Sequence, residues 1–336
     1  MFLMRFDMRC PDGDPQTARA LYETALEMAH WGEDKGCIQL VVSEHHGSPD
    51  GYLPSPMILA AALAGRTHTT PIQVAALVLP LHDPISMAEQ MAVLDLTSQG
   101  RVSYVLAVGY LESEFEQYGQ DFAARGQRIE TCIEVLKTAW TGKPFEFEGR
   151  SAQVTPQPLT PGGPTLLMGG HSPRVARRAA RLGLGMIAQG LQDGLDEVYY
   201  AACQEAGQPP GLFVNPIPGT ITAGFIHPDP DQGWAEIGPH LLHDARAYAA
   251  WLGEKNARRR GQWAQTVDEL REANGIYRIL TPEQAIDHIR AAGVWVTHPL
   301  CGGLPPELAW PSLELLVNEV LPHCQPQAGP PAASEA

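Results

Sequence analysis

The sequence predicts an α/β fold: a (β/α)8 TIM barrel with insertion segments. Three observations carry that expectation. Short β-rich runs alternate with longer amphipathic segments about eight times, the rhythm of parallel strands joined by crossover helices rather than of a sandwich. Several runs, such as CIQLVV at 37–42, are almost continuously apolar, as suits a strand buried on both faces. The 336 residues, 44% hydrophobic and 18% charged, can bury one large core and suit a single barrel better than one open sheet.

The elements follow in order. LMRFDM (3–8) reads as the first strand, followed by a helix from about Asp14 to Lys35 with Gly36 as its stop. CIQLVV is the second strand. The next helix has Ser55 as candidate N-cap and Pro56 in its first turn. IQVAALVLP (72–80) and RVSYVLAV (101–108) are the third and fourth strands, separated by a helix at 85–98. Their all-parallel packing predicts full burial of 37–42, 72–79 and 102–107. Helix signals recur in ESEFEQYG and QRIETCIEVLKTAW. The irregular stretch 142–164 then reads as an insertion bearing a hairpin. TLLMGG, SPRVARRAARLG, GMIAQG, DGLDEVYYAACQEAG and TITAGFI resume the alternation. A long helix through Trp251, then TPEQAIDHIRAAG and VWVTHPL, complete it. One domain over 1–325 is expected. The polar segment 254–274, with Arg258, Arg259 and Arg260 together, reads as a solvated connection, and 326–336 has the composition of a disordered tail.

Composition narrows the function. Twenty-three basic against 38 acidic residues leave a formal charge of −15, which disfavours nucleic acid and anionic membranes as partners. No run of about 18 apolar residues is present to span a bilayer. The N-terminus reaches Asp7 too early for a secretory signal, so a cytoplasmic location is expected. The six cysteines show no CxxC or framework spacing and suit a reducing compartment. No local cluster of four Cys/His ligands suggests structural zinc, and no metal is expected.

In a parallel barrel the chemistry sits at the C-terminal strand ends. Four features fall there. Ser43-Glu44-His45-His46 follows the second strand. Neighbouring side chains on extended backbone diverge, which disfavours a metal shared by the two histidines and leaves one to face the pocket as acid or base. A pair of loop histidines bonded only locally is the competing reading. Ala75-Ala76 in the third strand would let a flat ligand approach the backbone, or simply fill the core. Ala107-Val108-Gly109-Tyr110 follows the fourth strand, where Gly109 permits an unusual turn. Met168-Gly169-Gly170-His171-Ser172 ends a strand and opens a helix, with Ser172 as N-cap; such a turn is either an anion site or an ordinary connection. Gly183-Leu-Gly-Met-Ile-Ala188 mimics a dinucleotide fingerprint but runs from helix into strand, the reverse of the working order.

SEHHG (43–47), PSPMILAAALAGRT (54–67), VLPLHDP (78–84), LDLTSQGRV (94–102), AVGYLESEFEQYG (107–119) and MGGHSPRVARRAARLG (168–183) resemble, in order and spacing, the bacterial luciferase-like flavin monooxygenase family over about residues 1–325. The resemblance implies a barrel that binds reduced FMN, or deazaflavin F-420 in one branch, at the strand ends. It gives His45 the proton handling at the reactive flavin edge, with Glu44 and His46 as neighbours. It places a non-proline cis peptide at Ala75-Ala76 beneath the ring, and Ala107 where luciferase has a cysteine. Val108 stands in place of an arginine that contacts the phosphate there; Arg125, Arg128 and Arg174 are the candidates to supply that charge. Gly169, Gly170, His171 and Ser172 match the phosphate turn, Gln189 falls near the flavin, Gly109 and Tyr110 complete the cofactor wall, and 254–274 matches a mobile loop.

The activity implied is a two-component monooxygenase. A separate flavin reductase supplies reduced FMN, which with O2 oxidises a small organic substrate, and the chain forms a homodimer. The alternatives are an F-420-dependent hydride-transfer enzyme and a non-catalytic flavin-binding relative. A metal-dependent barrel hydrolase would want an HxH in the first strand, which LMRFDM lacks.

Overall fold

The computed structural model describes residues 1–217, 219–259 and 261–324; Arg260 and the expected tail at 326–336 lie outside the described residues. Among the described residues there are twelve strands. β1 (Phe2–Phe6), β2 (Cys37–Val42), β3 (Ile72–Leu77) and β4 (Val102–Leu106) come first, followed by the short β5 (Phe145–Phe147) and β6 (Arg150–Ala152). β7 (Leu166–Gly170), β8 (Gly185–Ala188), β9 (Phe213–Val214), β10 (Ala223–Ile226), β11 (Tyr277–Leu280) and β12 (Trp295–Thr297) follow. Eight of them form one curled, all-parallel sheet in the order β12-β1-β2-β3-β4-β7-β8-β9. β10 and β11 pair in parallel with each other. The predicted insertion carries its hairpin, β5 against β6.

Among the described residues the ladders stop short of the closed ring that the alternation predicts, because none joins the β10–β11 pair to the curled sheet. Packing brings them together without a shared ladder. A Cβ at Gly224 of β10 would lie 2.6 Å from the Trp295 ring and 2.9 Å from the Val296 carbonyl oxygen, so glycine permits β10 to approach β12.

The connecting helices follow from ordinary cap chemistry. α1 (Pro15–Glu33), α2 (Pro56–Arg66), α3 (Pro84–Ser98), α4 (Glu112–Gln117), α5 (Arg125–Ala139), α6 (Pro173–Arg181) and α7 (Leu195–Ala206) link the first strands. Asp14 caps α1 and Asp83 caps α3, each with proline in the first turn. Ser55 precedes α2 as expected, but its side chain makes no capping bond.

Four expectations change. The long helix through Trp251 is two, α8 (Pro230–Glu236) and α9 (Gly238–Leu252), broken where Pro239 enters the first turn of α9. The polar segment 254–274 is more than a solvated connection: it forms α10 (Glu254–Arg259) and α11 (Val267–Glu272), and Ala257, Ala264 and Leu270 are buried. β2 is not buried throughout, because the β1 ladder steps from Cys37 to Gln39 and leaves Ile38 unpaired and exposed. Ala75, Ala76 and Ala107 are only half-buried, because they lie where the strands open onto the rim. α12 (Pro282–Ala292) and α13 (Pro306–Leu315) follow, and short helical turns at Leu316–Val320 and Leu321–His323 end the described chain.

The turn that leads into β3, at the end of the strand away from its C-terminus, is held by Glu33 at the end of α1. Its carboxylate accepts from the backbone amides of His68 (2.8 Å), Thr69 (2.6 Å) and Thr70 (2.9 Å). Burial alone would raise its pKa, but the bonds from Thr69, Thr70 and His68 overcome that and hold it at about 2. A depressed acid stabilises the fold fully above its unfolded pKa and loses that contribution as pH falls through the folded value. Glu33→Gln should therefore cost about 0.5–1 kcal/mol at pH 7, because solvent around this part-exposed carboxylate screens its charge. In urea melts the gap to wild type should close between the normal glutamate range and pH 2; a gap independent of pH would remove the carboxylate from this role.

Candidate functional site

All eight strands of the sheet run the same way, so their C-terminal ends share one rim. Residues of every sequence-predicted element arrive there. The Ala75–Ala76 peptide is cis, and Ser43 Oγ donates to the Ala75 carbonyl at 2.8 Å, tying the ends of β2 and β3 together. Ala75, Ala76, Ala107, Val108, Gly109, Gly169 and Gly170 are half-buried, beside the buried Val74, Leu106 and Met168; Gln73 and Ser103 lower in the strands are half-buried too. A continuous strip of small residues at open strand ends is a surface onto which a flat ring can settle. Gly109 has φ +82°, and a Cβ there would lie 2.6 Å from Phe115, so no other residue fits that turn without displacing the ring.

His45 and His46 diverge, as extended backbone requires. His45 is buried and its Nδ1 lies 2.9 Å from Glu114 Oε1. An ionised carboxylate only accepts, so Nδ1 carries the proton and Nε2 is left as the basic nitrogen, 3.3 Å from the Tyr110 hydroxyl. Tyr52, Tyr110 and Tyr248 meet the His45 ring edge-on, and Trp251 lies over it at 4.4 Å and 36°. His45 is thus oriented by one acid and walled by four aromatic rings.

His46 belongs to a second network. Its Nε2 donates to Glu44 Oε1 at 3.0 Å, its Nδ1 faces the Tyr118 hydroxyl at 2.9 Å, and its backbone amide donates to Glu114 at 2.9 Å. His82 Nε2 reaches the same Glu44 oxygen at 2.6 Å, and the Val78 amide donates to the other. Burial raises the Glu44 pKa, but bonds from His46 and His82, the His82 charge and the Val78 amide prevail and hold it at about 2.

Beneath the aromatic wall lies a fully buried guanidinium. Arg9 follows β1 and pairs with Asp244 (3.0 Å), Asp7 (3.4 Å) and Asp50. Its guanidinium carbon stands over the rings of Tyr52, Tyr248 and Trp251 at 4.6, 5.4 and 4.9 Å. Burial opposes the charge, yet Asp244, Asp7, Tyr248 and Asp50 together hold Arg9 firmly protonated. Tyr52 and Tyr248 share a hydroxyl contact of 3.0 Å, and burial pushes both phenols above their usual range.

The Gly-Gly turn opens α6 as expected: Ser172 caps it by accepting from the Val175 amide, and Gln189, exposed at the end of β8, donates its backbone amide to Gly170. His171 and Arg174 are exposed at this helix N-terminus. Of the candidate cations, Arg128 is committed to the carbonyls of Pro80 and His82. Arg125 bonds the Phe122 carbonyl and stacks on that ring, with a buried Nε that has no partner. Arg174 is the candidate cation that lies on the turn itself. The GLGMIA decoy indeed runs from α6 into β8.

Sequence reading singled out His45, Glu44 and His46 but none of the residues that orient them. His82 comes from the loop after β3, Glu114 from α4 and Tyr118 from its C-terminal end, and Arg9, Asp50 and Asp244 are far apart in the chain. One signal was available: Asp7 and Arg9 are charges placed directly after an apolar strand, where a barrel has its rim.

A family model described as luciferase-like monooxygenase matches residues 2–295. The oxygenase component of a flavin-dependent trigonelline monooxygenase from Acinetobacter baylyi is 25% identical over 343 residues, covering 92% of this chain and 91% of that protein. An uncharacterized Sinorhizobium fredii protein is 26% identical over 196 residues, and there the chain spans about half the relative: 57% of this chain and 56% of that one. Among solved structures, the oxygenating constituent of 3,6-diketocamphane monooxygenase from Pseudomonas putida, in complex with FMN, superposes with a TM-score of 0.73 at 17% identity, over 96% of this chain and 98% of that one. That likeness shows the fold.

Proposed function

The chain belongs to the luciferase-like monooxygenase family, and from that premise we propose that it is a flavin-dependent monooxygenase using reduced FMN and O2 on a small organic substrate. The observation that carries the reading is the pairing of an oriented imidazole with an open strip. His45, fixed by Glu114, stands on the same rim as the half-buried Ala75–Ala76 and Ala107–Gly109. The strip fits an isoalloxazine ring and the Gly169–Ser172 turn fits its phosphate, with Arg174 at the first turn of α6. When bound, reduced flavin supplies the two electrons and the site of oxygen activation.

The chain's own residues do the rest. Glu114 holds His45 in the tautomer whose Nε2 can take or return a proton. Tyr52, Tyr110, Tyr248 and Trp251 exclude water around it. Glu44 and His46 fix the backbone that presents His45. The same reading takes the curled sheet and the β10–β11 pair as one (β/α)8 barrel over residues 1–325. It includes a cytoplasmic homodimer fed by a flavin reductase, with 254–274 closing over the site.

The test is isotopic. With a reductase regenerating reduced FMN under labelled dioxygen, a panel of N-heterocyclic, ketone and aldehyde substrates should yield a product carrying one labelled oxygen atom. Oxygen-independent substrate oxidation with F-420 alone would replace this reading with hydride transfer.

The phosphate position makes its own prediction. A Cβ at Gly170 would lie 2.9 Å from Val175 Cγ1, so Gly170→Val must push α6 away from the turn. Its FMN affinity should fall at least about tenfold, the scale of a lost charge-assisted contact. Arg174→Ala should weaken FMN more than riboflavin in parallel titrations. Equal losses for the two ligands would assign Arg174 to helix packing instead.

A further inference from the structure

We propose that Glu44, His46 and His82 form a binding site for a divalent transition ion of the zinc type, beside His45 but not including it. Their ligand atoms, one carboxylate oxygen and two imidazole nitrogens, all lie within 4.8 Å of one another. Glu44 Oε1 is 3.0 Å from His46 Nε2 and 2.6 Å from His82 Nε2. Ligands of a tetrahedral zinc ion sit about 3.4 Å apart, given metal–ligand bonds near 2.1 Å, so small rotations would admit the ion. Two imidazoles and a carboxylate suit zinc, cobalt or ferrous ions and not magnesium or calcium.

The surroundings are those of a metal site. The Val78 amide holds Glu44 Oε2, leaving Oε1 for the ion. When His46 Nε2 becomes a ligand, its proton moves to Nδ1, where the Tyr118 oxygen at 2.9 Å accepts it; such a partner on the far ring nitrogen is the usual orienting contact of a metal-bound histidine. The His82 side chain is 20% exposed, so the cluster is open to solvent on that side. Asp7, His298 and Cys301 also cluster. There the Arg9 guanidinium lies 3.4 Å from Asp7 and would repel a cation. At Glu44 the nearby guanidinium, Arg128, is turned to the backbone carbonyls of Pro80 and His82.

The experiment uses the full, chelator-treated chain without flavin, so its outcome is independent of the monooxygenase reading. Calorimetric titration with Zn2+ should saturate at one ion per chain and raise the melting temperature. Co2+ should give weak visible bands without the intense near-ultraviolet absorption of thiolate ligation. His82→Gln and His46→Gln should each lower the affinity at least about tenfold, and Cys324→Ser, at the half-buried cysteine, should not. Circular dichroism confirms that each variant is folded; should His46→Gln fail to fold, the part-exposed His82→Gln decides alone. Absence of saturable uptake, uptake unchanged in His82→Gln, or a thiolate band abolished by Cys324→Ser would each overturn the site.

Discussion

His45→Ala should lower turnover by roughly 10²–10⁴-fold while leaving flavin affinity within a few-fold, the scale of a lost general acid or base. The geometry sets the ordering as well as the size. His45 places Nε2 on the rim beside Tyr110, whereas both ring nitrogens of His46 are engaged, by Glu44 and Tyr118. His46→Ala should therefore act more mildly, through the backbone that carries its neighbour. Steady-state kinetics with a competent substrate, read beside flavin titrations, checks both. A reversed ordering would move the proton-handling role to His46. Two silent substitutions would return the pair to the structural role that the residues alone left open.

Arg9→Met should be the most destabilising single change in the rim, at about 3–5 kcal/mol. The guanidinium is fully buried, and removing it leaves Asp7, Asp50 and Asp244 facing one another without their cation. It also removes the body against which Tyr52, Tyr248 and Trp251 pack. Burial raises the Asp50 pKa, but the His243 bond and the Arg9 charge outweigh it and hold the carboxyl below its usual range. The loss should thus be complete at neutral pH and shrink in acid as the carboxyls protonate. Denaturant melts across pH measure this; a cost under about 1 kcal/mol at pH 7 would mean the three carboxylates find other partners.

The strands and their rim were legible because each is a local pattern. CIQLVV matches β2 residue for residue, and the insertion at 142–164 does carry its hairpin. The parallel alternation alone places His45, Ala75–Ala76, Gly109 and the Gly169–Ser172 turn at one end of the sheet. What resists sequence reading is long-range pairing. Glu114 is 69 residues from His45, and Arg9 is 235 residues from Asp244; no periodicity links them. The sequence reading assigns no element between the polar segment 254–274 and TPEQAIDHIRAAG, where the four residues YRIL form β11. Ladder closure depends on very short strands: β10, read from TITAGFI, has four residues, and β9 has two, too few to leave a pattern.

The central claim is that the rim takes reduced FMN, with its ring on the small-residue strip and its phosphate at the Gly169–Ser172 turn. Anaerobic calorimetry, titrating the chain in turn with reduced FMN and reduced deazaflavin F-420, tests it most directly. The account predicts one FMN per chain, bound more tightly than F-420, with affinity lost in Gly170→Val. Tighter binding of F-420, or FMN binding indifferent to Gly170→Val, would contradict it.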